Sequence, residues 1–178
     1  MNESRDPNTP AARLRQLATA ACEVTRRWVA RHPNTPVQTL LGMLDDEDCW
    51  VAWNLAQNPA ATPELIDELV SRKSFLDQIA ANRSASAKVL TQLAGEPDER
   101  VQAAVALNPS TPAGVLMKLA ADSNGKVRWS VARNTAAQPE LLGRLALDQE
   151  EPVQRVVARN RNIPKPLKLS LKRALGMR

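Results

Sequence analysis

The chain has 178 residues with four Trp, one Phe and no Tyr, long enough for one domain with a sizeable core but obliged to build that core from Leu, Val, Ile and Ala, which favours closely stacked helices. Its net charge of +5 is confined to one end: eight of the 24 Lys/Arg and no acid lie in 152–178, leaving sixteen bases against all nineteen acids before that, a net of −3 that excludes a uniformly basic, polyanion-coating protein. Two cysteines, Cys22 and Cys49, are too few and too far apart for a zinc or cluster site and read as reduced thiols, and no stretch approaches the roughly 18 apolar residues of a membrane span.

The opening "MNESRDPNTP" is polar and lacks an apolar leader core, so a cytoplasmic location is expected. A repeated pattern starts within it. Asp6, His32, Asn58, Asn82, Asn108, Asn134 and Asn160 occupy one recurring position, at steps of 26, 26, 24, 26, 26 and 26 residues. Eight residues after the first six of these anchors stand Leu14, Leu40, Ile66, Leu90, Leu116 and Leu142. Eleven after them stand Leu17, Met43, Leu69, Leu93, Leu119 and Leu145. Three before each anchor from the second onward stand Val29, Leu55, Ile79, Val105, Val131 and Val157, each followed by Ala.

Each unit therefore reads as two helices. Thr-Pro at 9–10, 35–36, 62–63 and 111–112 predicts an N-cap hydroxyl with Pro at the first helical position, and the apolar spacing that follows is one helical face. Asp46, Asp122 and Asp148 are expected to end that helix and cap the next. A second, shorter helix is expected to stop at the anchor, where Pro after Asn58 and Asn108 excludes the α region. One such unit cannot bury its apolar face alone, so the pattern predicts an all-α fold: an α-solenoid of about six 24–26-residue two-helix repeats, forming a single repeat domain over 1–178. The handedness does not follow from the pattern.

Three features of the first half invite chemistry. His32, the one histidine, sits in an anchor slot, and no second ligand or nucleophile is spaced to meet it. "DDED" at 45–48 falls on a helix connection and reads as capping and solvated carboxylates rather than a cation loop. The 24-residue step from Asn58 to Asn82 is two residues short, places Phe75 where other units carry Val, and predicts a local change of curvature or a weakened interface. No Gly-rich phosphate loop, Ser/His/Asp set or paired metal ligands occur, so no enzyme activity and no cofactor are expected.

"VALNPSTPAGVLMKLAAD", from Val105 to Asp122, resembles the variant leucine-rich repeat, and the likeness runs from Asp6 to about Asn162. The resemblance implies a right-handed superhelix of alternating α and short 3₁₀-like helices without strands. Some members of that family carry an N-terminal iron–sulfur segment, for which Cys22 and Cys49 are insufficient here. The motif residues of the family are structural, so the resemblance carries fold rather than activity.

Function should then lie in slots that vary. Five before and one before the anchor, on one face of the short helix, stand Arg27 and Arg31, Trp53 and Gln57, Asp77 and Ala81, Ala103 and Leu107, Trp129 and Arg133, Arg155 and Arg159. Trp and Arg are the types that anchor interfaces, and Trp129 with Arg133 can form a cation–π pair, although Trp rings also serve as packing between repeats. Arg27, Arg31, Trp53, Leu107, Trp129, Arg133, Arg155 and Arg159 are the candidate contacts for a protein or peptide partner. The alternative is nucleic acid, with Arg128, Arg133, Arg155, Arg159 and Arg161 on phosphates and Trp on bases; the acidic balance of 1–151 opposes it. Last in the chain, Pro164 and Pro166 open a helix over 163–178 in which Leu167, Leu171 and Leu175 recur every four residues. It is expected to cap the stack while Lys165, Lys168, Lys172 and Arg173 face water, or else meet an acidic partner, an anionic membrane or nucleic acid.

Overall fold

In the computed structural model, which describes residues 6–177, the two apolar spacings become two kinds of helix, and no strand occurs among those residues. One kind opens five residues beyond the anchor: α1 Ala11–Leu17, α3 Val37–Gly42, α5 Pro63–Ser71, α7 Ala87–Leu93, α9 Ala113–Leu119 and α11 Pro139–Leu145. The other kind ends just before the next anchor: α2 Glu23–Arg31, α4 Cys49–Gln57, α6 Leu76–Ala81, α8 Glu99–Leu107, α10 Gly125–Arg133 and α12 Glu151–Arg159. A last helix, α13, spans Lys165–Ala174.

The expected order of lengths is reversed. Helices that end at the anchor have nine residues in every unit but one, while most that follow it have six or seven. Nor is either kind a 3₁₀ helix among the described residues; 3₁₀-type bonds occur at helix ends and turns, as in Val51 N–H to Asp48 O at 2.8 Å and Asn58 N–H to Leu55 O at 3.1 Å. The face called that of the short helix therefore belongs to the longer one.

The chain divides into two compact units, Met1–Ser86 and Ala87–Arg178. In the first, α2, α4 and α6 pack side by side in succession and α3 lies on α5. In the second, α8, α10, α12 and α13 form the corresponding row, with α9 and α11 against α10. Like stacks on like because each 26-residue step returns the chain to the same face.

The core is made of the recurring slots. Leu14, Leu40, Ile66, Leu90, Leu116 and Leu142 are buried, as are Val29, Leu55, Ile79, Val105, Val131 and Val157 and the Ala after each. In the second leucine slot Met43, Leu69, Leu93, Leu119 and Leu145 are buried and Leu17 is half-buried.

The anchors tie consecutive repeats together. Asn58 Nδ2 donates to Ala30 O at 2.6 Å and His32 O at 3.2 Å; Asn82 does the same to Ala56 O and Asn58 O. In the second unit Asn134 reaches Ala106 O at 2.6 Å and Asn108 O at 2.9 Å, and Asn160 reaches Ala132 O and Asn134 O. Each Oδ1 meanwhile accepts the backbone N–H two residues on, as Ala136 N–H does to Asn134 at 2.7 Å. The amide thus satisfies carbonyls that a helix end leaves without partners, and Ala before that end keeps the approach open. Asn82, Asn134 and Asn160 hold the same extended conformation as Asn58 and Asn108 with no proline after them, so proline is not what sets it.

Thr-Pro is also used differently from the expectation. Thr35 and Thr111 are buried, and their hydroxyls donate backwards, to Val29 O at 2.7 Å and Val105 O at 2.6 Å. Pro10, Pro36, Pro112 and Pro164 occupy the N-cap itself, where φ near −60° and an extended ψ suit the ring. Only Thr62, one residue later in its repeat, is an N-cap with Pro63 at the first helical position. Likewise the caps of α4, α8 and α10 are Asp48, Asp98 and Asn124; Asp46, Asp122 and Asp148 stand two residues before the cap slot, accepting its N–H.

The short step from Asn58 to Asn82 is absorbed where α5 meets α6. Lys73 and Phe75 both take positive φ, 51° and 52°, and α6 is cut to six residues. Non-glycine residues in that region cost roughly 1–2 kcal/mol each, so the missing length is compensated by strain.

Candidate functional site

His32 is part of the scaffold. The residue is 5% exposed; Nδ1 accepts Asn34 N–H at 3.1 Å and Nε2 lies 2.9 Å from Asp6 O. Since Nδ1 accepts, Nε2 carries the hydrogen and donates, so the neutral imidazole reproduces both halves of the Asn role.

Arginine-carboxylate pairs occupy the helix connections. Arg26 meets Asp46 through Nε at 2.6 Å and Nη2 at 3.0 Å, while Nη1 donates to Ala20 O and Ala21 O. The second unit repeats this: Arg128, 6% exposed, meets Asp148 at 2.7 and 3.0 Å, Glu150 at 3.0 Å, and donates to Asp122 O and Ser123 O. These hydrogen bonds hold the Asp46 and Asp148 carboxyls below the usual carboxylate range and raise both guanidiniums. Arg128 is consequently unable to serve a phosphate, contrary to the reading that placed it there. The acidic run resolves in the same way: Asp45 pairs with Arg72, Asp46 with Arg26 and Asp48 with Arg27.

The variable slots are all half-buried or exposed. In the first unit Arg27 is engaged by Asp48 and Glu23, and Arg31 is exposed. With Val24, Trp28 and Asn54 these two arginines line a hollow of about 220 Å³. Trp53 does not join it; its ring makes an edge-to-face contact with Trp50, centroids 5.6 Å apart. Trp28 and Trp50, which lie outside the two slots read from sequence, are thus part of the aromatic surface, Trp50 being 50% exposed.

In the second unit Leu107 is 41% exposed on α8, and Arg155 is drawn to Glu151 and to Leu175 O. Three of the candidates converge. Arg133 lies over Trp129, its guanidinium carbon 5.1 Å from the ring centroid, and together with Arg159 and Arg161 they line a groove of about 550 Å³ between α10 and α12. Ala132 and Val156 give the groove an apolar floor. Such a volume falls within the roughly 300–1,000 Å³ of ordinary ligand clefts.

α13 packs on α12 with Leu171 buried and Leu167 and Leu175 half-buried, leaving Leu169 exposed. Lys165 and Arg173 are exposed and Lys168 and Lys172 half-buried, none in an ion pair among the described residues. No described helix is long and apolar enough to cross a membrane, and Cys22 and Cys49 are exposed free thiols.

Repeating helix pairs, anchored by one amide per turn of the stack, define an all-α repeat protein of the solenoid class. The family model described as leucine rich repeat variant matches residues 24–48 in the first unit and 99–124 in the second, so these two segments are similar to that repeat. Neither the curated proteins nor the solved structures contain a match.

Proposed function

We propose that this chain is a non-enzymatic repeat scaffold, and that it binds a protein or peptide partner through the exposed face of the helices that end at the anchors. The observation that carries the reading is the groove of Trp129, Arg133, Arg159 and Arg161, in which variable residues of two consecutive repeats meet while every recurring residue is spent on the fold. Arg31 and the Trp50–Trp53 pair offer similar chemistry on the first unit, and exposed Leu107 adds apolar area. Trp and Arg at desolvated centres carry most of the energy of protein interfaces. The basic side chains of α13 belong to the same proposal as a solvated rim, where charges tune the encounter more than the affinity.

The nucleic-acid reading is weakened by the loss of buried Arg128 to Asp148, which interrupts the stripe it needs. Affinity capture from the native lysate with chemical cross-linking, comparing wild type with Trp53→Ala/Trp129→Ala, tests the scaffold proposal. A specific protein partner should be lost from the variant. Partners held equally by both, or capture dominated by nucleic acid with a steep salt dependence, refute it.

A further inference from the structure

The chemistry of the α10–α12 groove is one-sided. No carboxylate lines it. The polar atoms of Asn160, at its edge, are spent: Nδ2 on Ala132 O and Asn134 O, Oδ1 on Asn162 N–H. What remains for a ligand is three guanidiniums, each a donor with no acceptor. Arg133, Arg159 and Arg161 have no ion pair among the described residues, whereas Arg26, Arg27, Arg72, Arg128 and Arg155 each have one. Like charges gathered in one cleft raise the local potential and are relieved by an anion.

We infer, building on the scaffold proposal, that this groove receives an acidic side chain of a partner peptide. A Glu or Asp carboxylate binds the Arg133, Arg159 and Arg161 guanidiniums, and an adjacent aliphatic side chain lies on Val156 and the open part of the Trp129 ring. Charge complementarity sets the ligand's sign, and the Trp129 ring bears on its kind. Arg133 already covers one face of Trp129, so a base has less ring to stack on. Three guanidiniums lining one groove match one or two carboxylates. Planar guanidiniums suit carboxylates because two N–H groups can meet two oxygens.

The test uses the full chain and a capped tetrapeptide of two leucines flanking two glutamates, with the glutamine peptide and a short oligothymidylate beside it. Binding is followed through the Trp129 indole and the Arg133, Arg159 and Arg161 Nε–H signals in proton–nitrogen spectra. The glutamate peptide should shift these signals saturably and the glutamine peptide should not. Arg159→Gln/Arg161→Gln, which preserves the Trp129–Arg133 pair, should weaken binding at least about tenfold with an unchanged urea midpoint, the loss expected for a charge-assisted hydrogen bond or more. The inference is overturned if both peptides act alike, if only the oligothymidylate shifts the signals, or if nothing shifts at millimolar peptide. Those results leave the scaffold proposal standing, because it depends on whether the Trp53/Trp129 variant loses its cellular partner.

Discussion

Replacing Asn134 by Ala should be among the most damaging single changes to the second unit. The amide serves three backbone groups: it donates to Ala106 O and Asn108 O and accepts Ala136 N–H. Asn108 O keeps a second donor, Thr111 N–H at 3.1 Å, and Ala136 is exposed enough for water to replace the lost acceptor. Ala106 is fully buried at the end of α8, and its carbonyl is left without its donor. An orphaned buried carbonyl costs about 1–3 kcal/mol and each of the other two lost bonds about 0.5–1.5, for a total of roughly 2–6 kcal/mol. Urea unfolding followed by far-ultraviolet circular dichroism measures it. Asn134→Asp sharpens the test, since it keeps the acceptor but turns a carboxylate oxygen toward two carbonyl oxygens. That environment raises the folded-state pKa, so the deficit of the Asp variant is full above that value and shrinks as pH falls toward the ordinary carboxylate range. A midpoint for Asn134→Ala within about 0.5 kcal/mol of wild type, or an Asp variant whose deficit ignores pH, refutes the ladder as a source of stability.

His32→Asn should leave stability unchanged, because both groups pair a donor with an acceptor, whereas His32→Leu should lower the urea midpoint. Asp148→Asn should cost about 1–3 kcal/mol, because buried Arg128 loses its closest carboxylate but keeps Glu150 and two carbonyls, and the wild-type contribution of the Asp148 carboxylate, held below its ordinary range, should be complete above pH 4 or so and lost as pH falls further. Lys73→Gly should raise stability by about 1 kcal/mol, since glycine takes the φ of 51° without strain; a lower midpoint refutes strain there. Leu171→Asp should destabilise the second unit in hydrogen exchange, whereas Lys168→Gln/Lys172→Gln/Arg173→Gln should leave the fold intact; reversal of that order removes the cap role of α13.

Periodicity made the helix pairs and core legible, because a slot filled by Leu, Val or Ile in every repeat has only one physical use. What periodicity could not convey is which atom a polar residue addresses. Thr35 and Thr111 carry the composition of an N-cap but use their hydroxyls on the helix behind them, and the rigid ring of the next residue takes the cap. Arg128 looked available because its partners Asp148 and Glu150 stand 20 and 22 residues away, a separation that only the stacking of repeats closes. A residue-by-residue comparison of Arg26 with Asp46 and Arg128 with Asp148, both pairs 20 apart, carried that signal. The Trp129–Arg133 contact, four apart on one helix, was readable because the geometry is local. Arg161 lies beyond the helix end and reaches the groove through the turn after Asn160, a placement that helical spacing does not describe.

The anchor ladder also has a direction. In both units the amide of each later anchor donates to carbonyls that precede it by 24 to 28 residues, so its acceptors have already been synthesised when it leaves the ribosome. Each repeat can therefore close onto a finished template instead of waiting for residues not yet translated, and the order of closure follows the order of synthesis.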